Sequence, residues 1–258
     1  MIAAEESPVT NWTKKLRTFY DKNGISVKSF CCAYQKDCEA ASPRPLHHGA
    51  EAHVGSRYGQ GMRVVVISLD TGHEPADLTA RRDRIEGLGT EGLNPHMQGT
   101  TLLMSRLLAD IVPVGATPHA YYSMINAAKC SASDDSRSKV PTALYNNCRF
   151  FAVTEVSLLE PQLIVTQGND AERAFGRPTP LPEQRLRASA EELGATGKSV
   201  DWFVSLGREY LGQISLTGNS AVLTLAAPHP AARDGRWQLF QRIALDPLVE
   251  MIGTMVGP

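Results

Sequence analysis

The 258-residue chain holds 26 basic and 27 acidic residues, a net charge of −1, and is 42% hydrophobic. This suits one globular domain with a well-buried core; its apolar runs are far too short to span a bilayer, which argues against a membrane protein. The charge balance announces no nucleic-acid binder, yet leaves room for a local basic rim, for which ARRDR (80–84) and ARDGRW (232–237) are candidates.

The opening MIAAEESPVTNWTKK is acidic before it is basic and has no hydrophobic centre, so neither export nor membrane insertion is expected and the reading is a cytoplasmic, monomeric protein. Residues 31–62 are rich in His, Gly and Ser and include Cys31, Cys32 and Cys38, which reads as a loop layer held by something other than an apolar core. The run 63–68 (RVVVIS) predicts a strand buried on both faces, ending at Leu69 and Asp70. An acid there suits a helix cap or turn as well as catalysis.

Apolar spacing predicts a helix over 99–111, a strand over 120–127 that carries Asn126 near its end, four residues before Cys130, and a helix over 146–159 that Cys148 opens. A strand follows at 161–167. Residues 176–212 depart from the alternation, with two helical pieces that read as an insertion over the active-site side of the sheet. The last strand, 221–226, leads to PHP (228–230) and a final amphipathic stretch over 236–251. Strands alternating with helices predict an α/β fold: a three-layer α/β/α sandwich around a central four-stranded parallel sheet, in one domain spanning 1–258.

Five cysteines without an export signal fit a disulfide framework poorly, which leaves metal, catalysis or burial. Cys130 and Cys148 lie at adjacent element ends, far in sequence from the N-terminal three. Four soft thiolates with unequal spacings fit an iron-sulfur cluster, with zinc as the runner-up.

These residues fall into an ordered set: Cys31/Cys32 and Cys38, SLDTG (68–72), NAAKC with Asn126 and Cys130, NNC ending at Cys148, PQLIVTQGNDA (161–171), and PHP with His229 and Pro230. In that order, over roughly residues 31 to 240, the sequence resembles the iron-sulfur branch of the uracil-DNA glycosylase superfamily. The resemblance implies that family's fold, DNA as partner, and hydrolysis of the N-glycosidic bond of an extruded base. It also implies a 4Fe-4S cluster on four of the five cysteines, with Cys31 and Cys32 alternatives for one ligand.

By the same resemblance, Asp70 occupies the slot from which other branches of the superfamily orient water, His229 would stabilise the departing base, and Asn126 would read the base edge. Leu69 and Asp70 stand where the iron-sulfur branch has Glu and then Ala or Gly. That departure leaves open a non-catalytic protein that binds DNA or a modified base on the same fold. The family's stacking Phe is also missing: EGLNPHMQGTT (91–101) offers only His96 and Met97 near that slot, so Leu69, His96 and Met97 become the base-binding candidates. A pocket without the platform is compatible with bulkier pyrimidines, including the hypermodified cytosines of phage DNA. Arg233, Arg236 and Trp237 follow the PHP motif where the family contacts DNA, although Trp237 suits a core anchor equally well.

Overall fold

The computed structural model describes residues 8–69, 75–89, 93–131, 141–216 and 221–256. Asp70 lies outside the described residues. In chain order the elements are α1 (Pro8–Asn23), α2 (Gln35–Ala41), β1 (His47–His48), β2 (His53–Val54), β3 (Val64–Ser68), α3 (Leu78–Glu86), α4 (Pro95–Leu107), β4 (Ser123–Asn126), β5 (Cys130–Ser131) and α5 (Thr142–Leu159). They continue with β6 (Leu163–Gln167), α6 (Asn169–Phe175), β7 (Thr179–Pro180), α7 (Glu183–Glu192), α8 (Lys198–Tyr210), β8 (Leu211–Ser215), β9 (Ala221–Ala227), α9 (Arg236–Ile243) and α10 (Leu245–Val256).

The fold is α/β, but its main sheet is mixed and has seven strands in the order β2-β4-β3-β6-β9-β8-β7. The four strands expected from sequence are neighbours within it: β3 pairs parallel with β4 and with β6, and β6 pairs parallel with β9. Antiparallel strands β2, β8 and β7 extend the sheet at its two sides. A separate two-stranded ribbon joins β1 to β5, with His48 opposite Cys130.

Strand side chains alternate between faces, and both faces are apolar. Val64 and Val66 of β3 join Leu163, Val165, Leu223 and Leu225 in one core with α4, α7, α8, α9 and α10. Val65 and Ile67 join Ile125, Ile164 and Val222 in a second core with α1, α5 and α6. That two-faced burial explains the unbroken run VVVI and the absence of a polar alternation in it.

The 176–212 stretch forms β7, α7 and α8, and Leu186, Ala190, Val200 and Val204 pack into the same core as α10. The amphipathic stretch over 236–251 forms two helices that part at Ala244. Pro247 supplies the reason, since its ring has no N–H and crowds the carbonyl four residues earlier, at Ile243.

Candidate active site and cysteine centre

Four parallel strands end level with one another. Ser68 of β3 pairs with Asn126 of β4, and Gln167 of β6 pairs with Ala227 of β9. The chain leaves β4 still attached to its neighbour, because Ala127 N–H donates to the Ser68 carbonyl (2.8 Å) and Ala128 N–H to that of Leu69 (3.0 Å). Leu69 and Asn126 are thereby held side by side at the carboxyl ends, where open α/β sheets carry their ligands.

His229 enters from the loop after β9. Gly168 has φ +91° and donates to the Ala227 carbonyl (2.8 Å), and a Cβ on it would stand 3.0 Å from the Cβ of His229. Glycine there serves both the left-handed backbone and the close approach. His96 arrives from the first turn of α4, a helix that Asn94 caps by accepting from Met97 N–H (2.9 Å), with Pro95 at its start. The two imidazoles stack, with centroids 5.0 Å apart and planes inclined by 29°.

The His96 Nε2 atom lies 3.4 Å from Ser68 Oγ. Its Nδ1 and the Oδ1 of Asn126 are buried without a hydrogen-bond partner among the described residues. Beneath them, the Gln167 amide donates to Thr100 Oγ1 (2.8 Å), and that hydroxyl also lies 2.9 Å from the His96 carbonyl. Gln167 and Thr100 are both fully buried.

Burial pushes His96 down to about 4, and the adjacent His229 ring adds to the fall. Burial also lowers His229, against a smaller upward pull from the Asp170 carboxylate. Both rings are therefore neutral at neutral pH. His229 Nδ1 accepts from Ala231 N–H (3.2 Å), which assigns the ring hydrogen to Nε2.

The structure thus gathers Leu69, His96, Asn126 and His229. Two expected residues stand elsewhere. Met97 follows His96 by one helical position, about 100° further round, and is buried in the core instead. Trp237 is 5% exposed, stacks on Phe240 (5.5 Å, 25°) and meets α4 at Gly99, so it anchors α9 rather than reaching outward. Arg233 and Arg236 are exposed, and Arg236 pairs with Asp234 at 2.6 Å.

All five cysteines are free thiols. Cys31 is exposed, with its sulfur beside Gly24, where a Cβ would stand 2.6 Å away. Cys38, Cys130 and Cys148 are buried and Cys32 is half-buried. Burial pushes the Cys130 thiol far up and Cys148 up to about 11, and Cys38 and Cys32 add to the rise at both. Cys32 stands near this buried group and also near Cys31, whose side chain is exposed.

Three nitrogens face these sulfurs. Lys129 N–H donates to Cys148 Sγ (3.3 Å), the Asn147 amide donates to Cys38 Sγ (3.4 Å), and His48 Nδ1 is 3.4 Å from Cys130 Sγ. Ala128, Leu144, Phe30 and Leu46 supply apolar surroundings. Among the described residues, no three His, Cys, Asp or Glu side chains close around a single metal-ion position.

Between the two sites lies a buried pair that the sequence did not announce. Lys129 Nζ contacts Glu155 Oε2, with the two side chains 1% and 0% exposed. Lys129 separates Ala128, bonded to Leu69, from Cys130, so the pair holds the short link between the base-reading candidate and the cysteines. No family model matches the chain, and no curated protein matches it.

Proposed function

We propose that the chain is a DNA glycosylase that removes a modified pyrimidine from an extruded nucleotide. The observation that supports it is the convergence of two neutral, stacked imidazoles with a buried, unpartnered Asn126 oxygen at the carboxyl ends of parallel strands. The finer fold reading that accompanies it is the α/β/α sandwich of the uracil-DNA glycosylase superfamily, built on β4, β3, β6 and β9.

In this reading the Asn126 carboxamide pairs with the edge of the base, and its buried oxygen accepts a base N–H. The glycosidic bond breaks with its electron pair passing to the base, and His229 Nε2–H donates to the base oxygen on which negative charge grows. Asp70, by its slot in the motif, orients a water toward C1′ and takes its proton as the new C–O bond forms. By sequence His96 is near the slot of the family's aromatic platform, and it brings a polar ring there. That polar lining supports a base with a polar or bulky substituent, such as a hypermodified cytosine, over plain uracil.

The cysteine set fits an iron-sulfur cluster by donor chemistry, with Cys32, Cys38, Cys130 and Cys148 as ligands. Four soft thiols with nitrogens facing three of the sulfurs suit an iron-sulfur cluster, with zinc as the runner-up. When bound, the cluster supplies a cross-link that ties the 31–48 loops to β5 and α5.

The test uses purified protein and single- and double-stranded oligonucleotides that contain uracil or a series of modified cytosines, with alkali treatment and a sequencing gel. Breaks at the modified base are expected, and D70A abolishes them. No breakage on any substrate, or full activity in D70A, overturns the reading.

A further inference from the structure

His48 bridges the cysteine centre to the surface, and both of its ring nitrogens are engaged. On the ribbon β1–β5 it stands directly opposite Cys130, which brings Nδ1 to 3.4 Å from the sulfur. Its Nε2 lies 3.3 Å from Glu39 Oε1, one residue beyond Cys38, and Gln35 donates to that same carboxylate oxygen at 2.9 Å. Phe30 covers the imidazole in a parallel stack, with centroids 4.6 Å apart and planes within 17°. The side chain keeps 24% of its surface in solvent, whereas Cys130 is buried.

A buried thiol next to a histidine that a carboxylate orients has the outline of a nucleophilic triad. Burial argues against that use, because Cys130 is 4% exposed and packed against Ala128 and Leu144, with the imidazole beside it. A metal-bound thiolate is the state in which the arrangement is fully satisfied. The sulfur is then an acceptor, the carboxylate is an acceptor, and the imidazole lies between them as donor.

We propose that His48 is a positioning residue of the iron-sulfur centre: it donates from Nδ1 to the Cys130 thiolate, is oriented by Glu39, and with Phe30 closes the centre to solvent. The inference rests on the four-cysteine cluster reading. Hydrogen bonds to ligand sulfurs withdraw charge from a cluster, which favours its reduced form, and outer-shell partners of this kind also hold metal in place.

The test compares wild type, H48F and H48Q, each reconstituted anaerobically with iron and sulfide and shown by melting to be folded. Two readouts are taken: the midpoint potential by spectroelectrochemistry, and the rate of iron transfer to a chelator. H48F, which fills the space without a donor, is expected to have a lower potential and to lose iron on the order of tenfold faster. H48Q, which restores a donor, recovers part of both. Wild-type values in a fully loaded H48F overturn the proposal and leave the cluster reading standing. A wild-type protein that takes up no iron overturns both.

Discussion

Asn126 has a carboxamide oxygen that is buried and without a partner among the described residues, an arrangement that leaves a strong acceptor waiting for a donor. On the proposed reading, removing it takes away the contact to the base edge, and no described residue loses a partner of that oxygen. Asn126→Ala is therefore expected to lower kcat/KM by about 10- to 100-fold, corresponding to the ~1–3 kcal/mol attached to a buried polar contact, and to leave the melting temperature unchanged or raised. Single-turnover excision assays and thermal melts check the two halves. On the proposed mechanism His229→Ala deletes the donor to the departing base, and a loss of about 10²–10³ in the chemical step is expected, as for other donors to a developing anion. An excision rate within a few-fold of wild type would contradict the assigned role.

At the scale of elements, the tightest junction in the site is where α4 crosses the PHP loop. A Cβ on Gly99 would lie 2.3 Å from Pro230 Cβ and 2.9 Å from Trp237 Cζ2. Even the methyl of Gly99→Ala must push Pro230, and with it His229, away from His96. Overpacking of this sort costs about 1–3 kcal/mol, so a lower melting temperature together with loss of excision is expected. The four central strands were legible because strands buried on both faces leave continuous apolar runs. The N-terminal helix was not anticipated, although Trp12, Leu16 and Tyr20 recur at helical spacing and are all buried. Strand β8 escaped because LGQIS is short and its pairing with β9 is a tertiary fact. Within the site, Asn126 and His229 could be found from motif order, whereas Ser68 and Gln167 lie inside quoted motifs without a role assigned there, and they and Thr100 gain one only from where the strands end and α4 packs. Trp237 was ambiguous for a physical reason: an indole serves a core or an interface equally well, and only packing decides.

Across the whole molecule, stability depends on histidines kept neutral. His53 is fully buried and pushed down to about 3, its Nε2 donating to the His119 carbonyl (2.8 Å). His96 stands at about 4, and burial lowers His119 as well. Each folded pKa is depressed below the unfolded value near 6.5. The unfolded chain therefore binds more protons in acid, and the contribution is fully present above about pH 6.5 and lost as pH falls toward 4. Denaturant midpoints measured from pH 7.5 to 4.5 are expected to fall, by on the order of 1 kcal/mol per histidine per pH unit. A flat profile over that range would remove the argument. The Lys129–Glu155 pair adds a second whole-molecule test. Lys129→Met strands a buried carboxylate and is expected to destabilise by about 3–5 kcal/mol, while the K129M/E155L double variant recovers most of the loss.

The sheet ends on each side in a strand of only two residues, β2 and β7, and β7 includes Pro180, which has no backbone N–H to offer a further strand. A second chain has almost nothing to zip onto. Concentrated solutions should therefore resist fibre growth by edge annealing, with copies crowded side by side keeping their sheets separate.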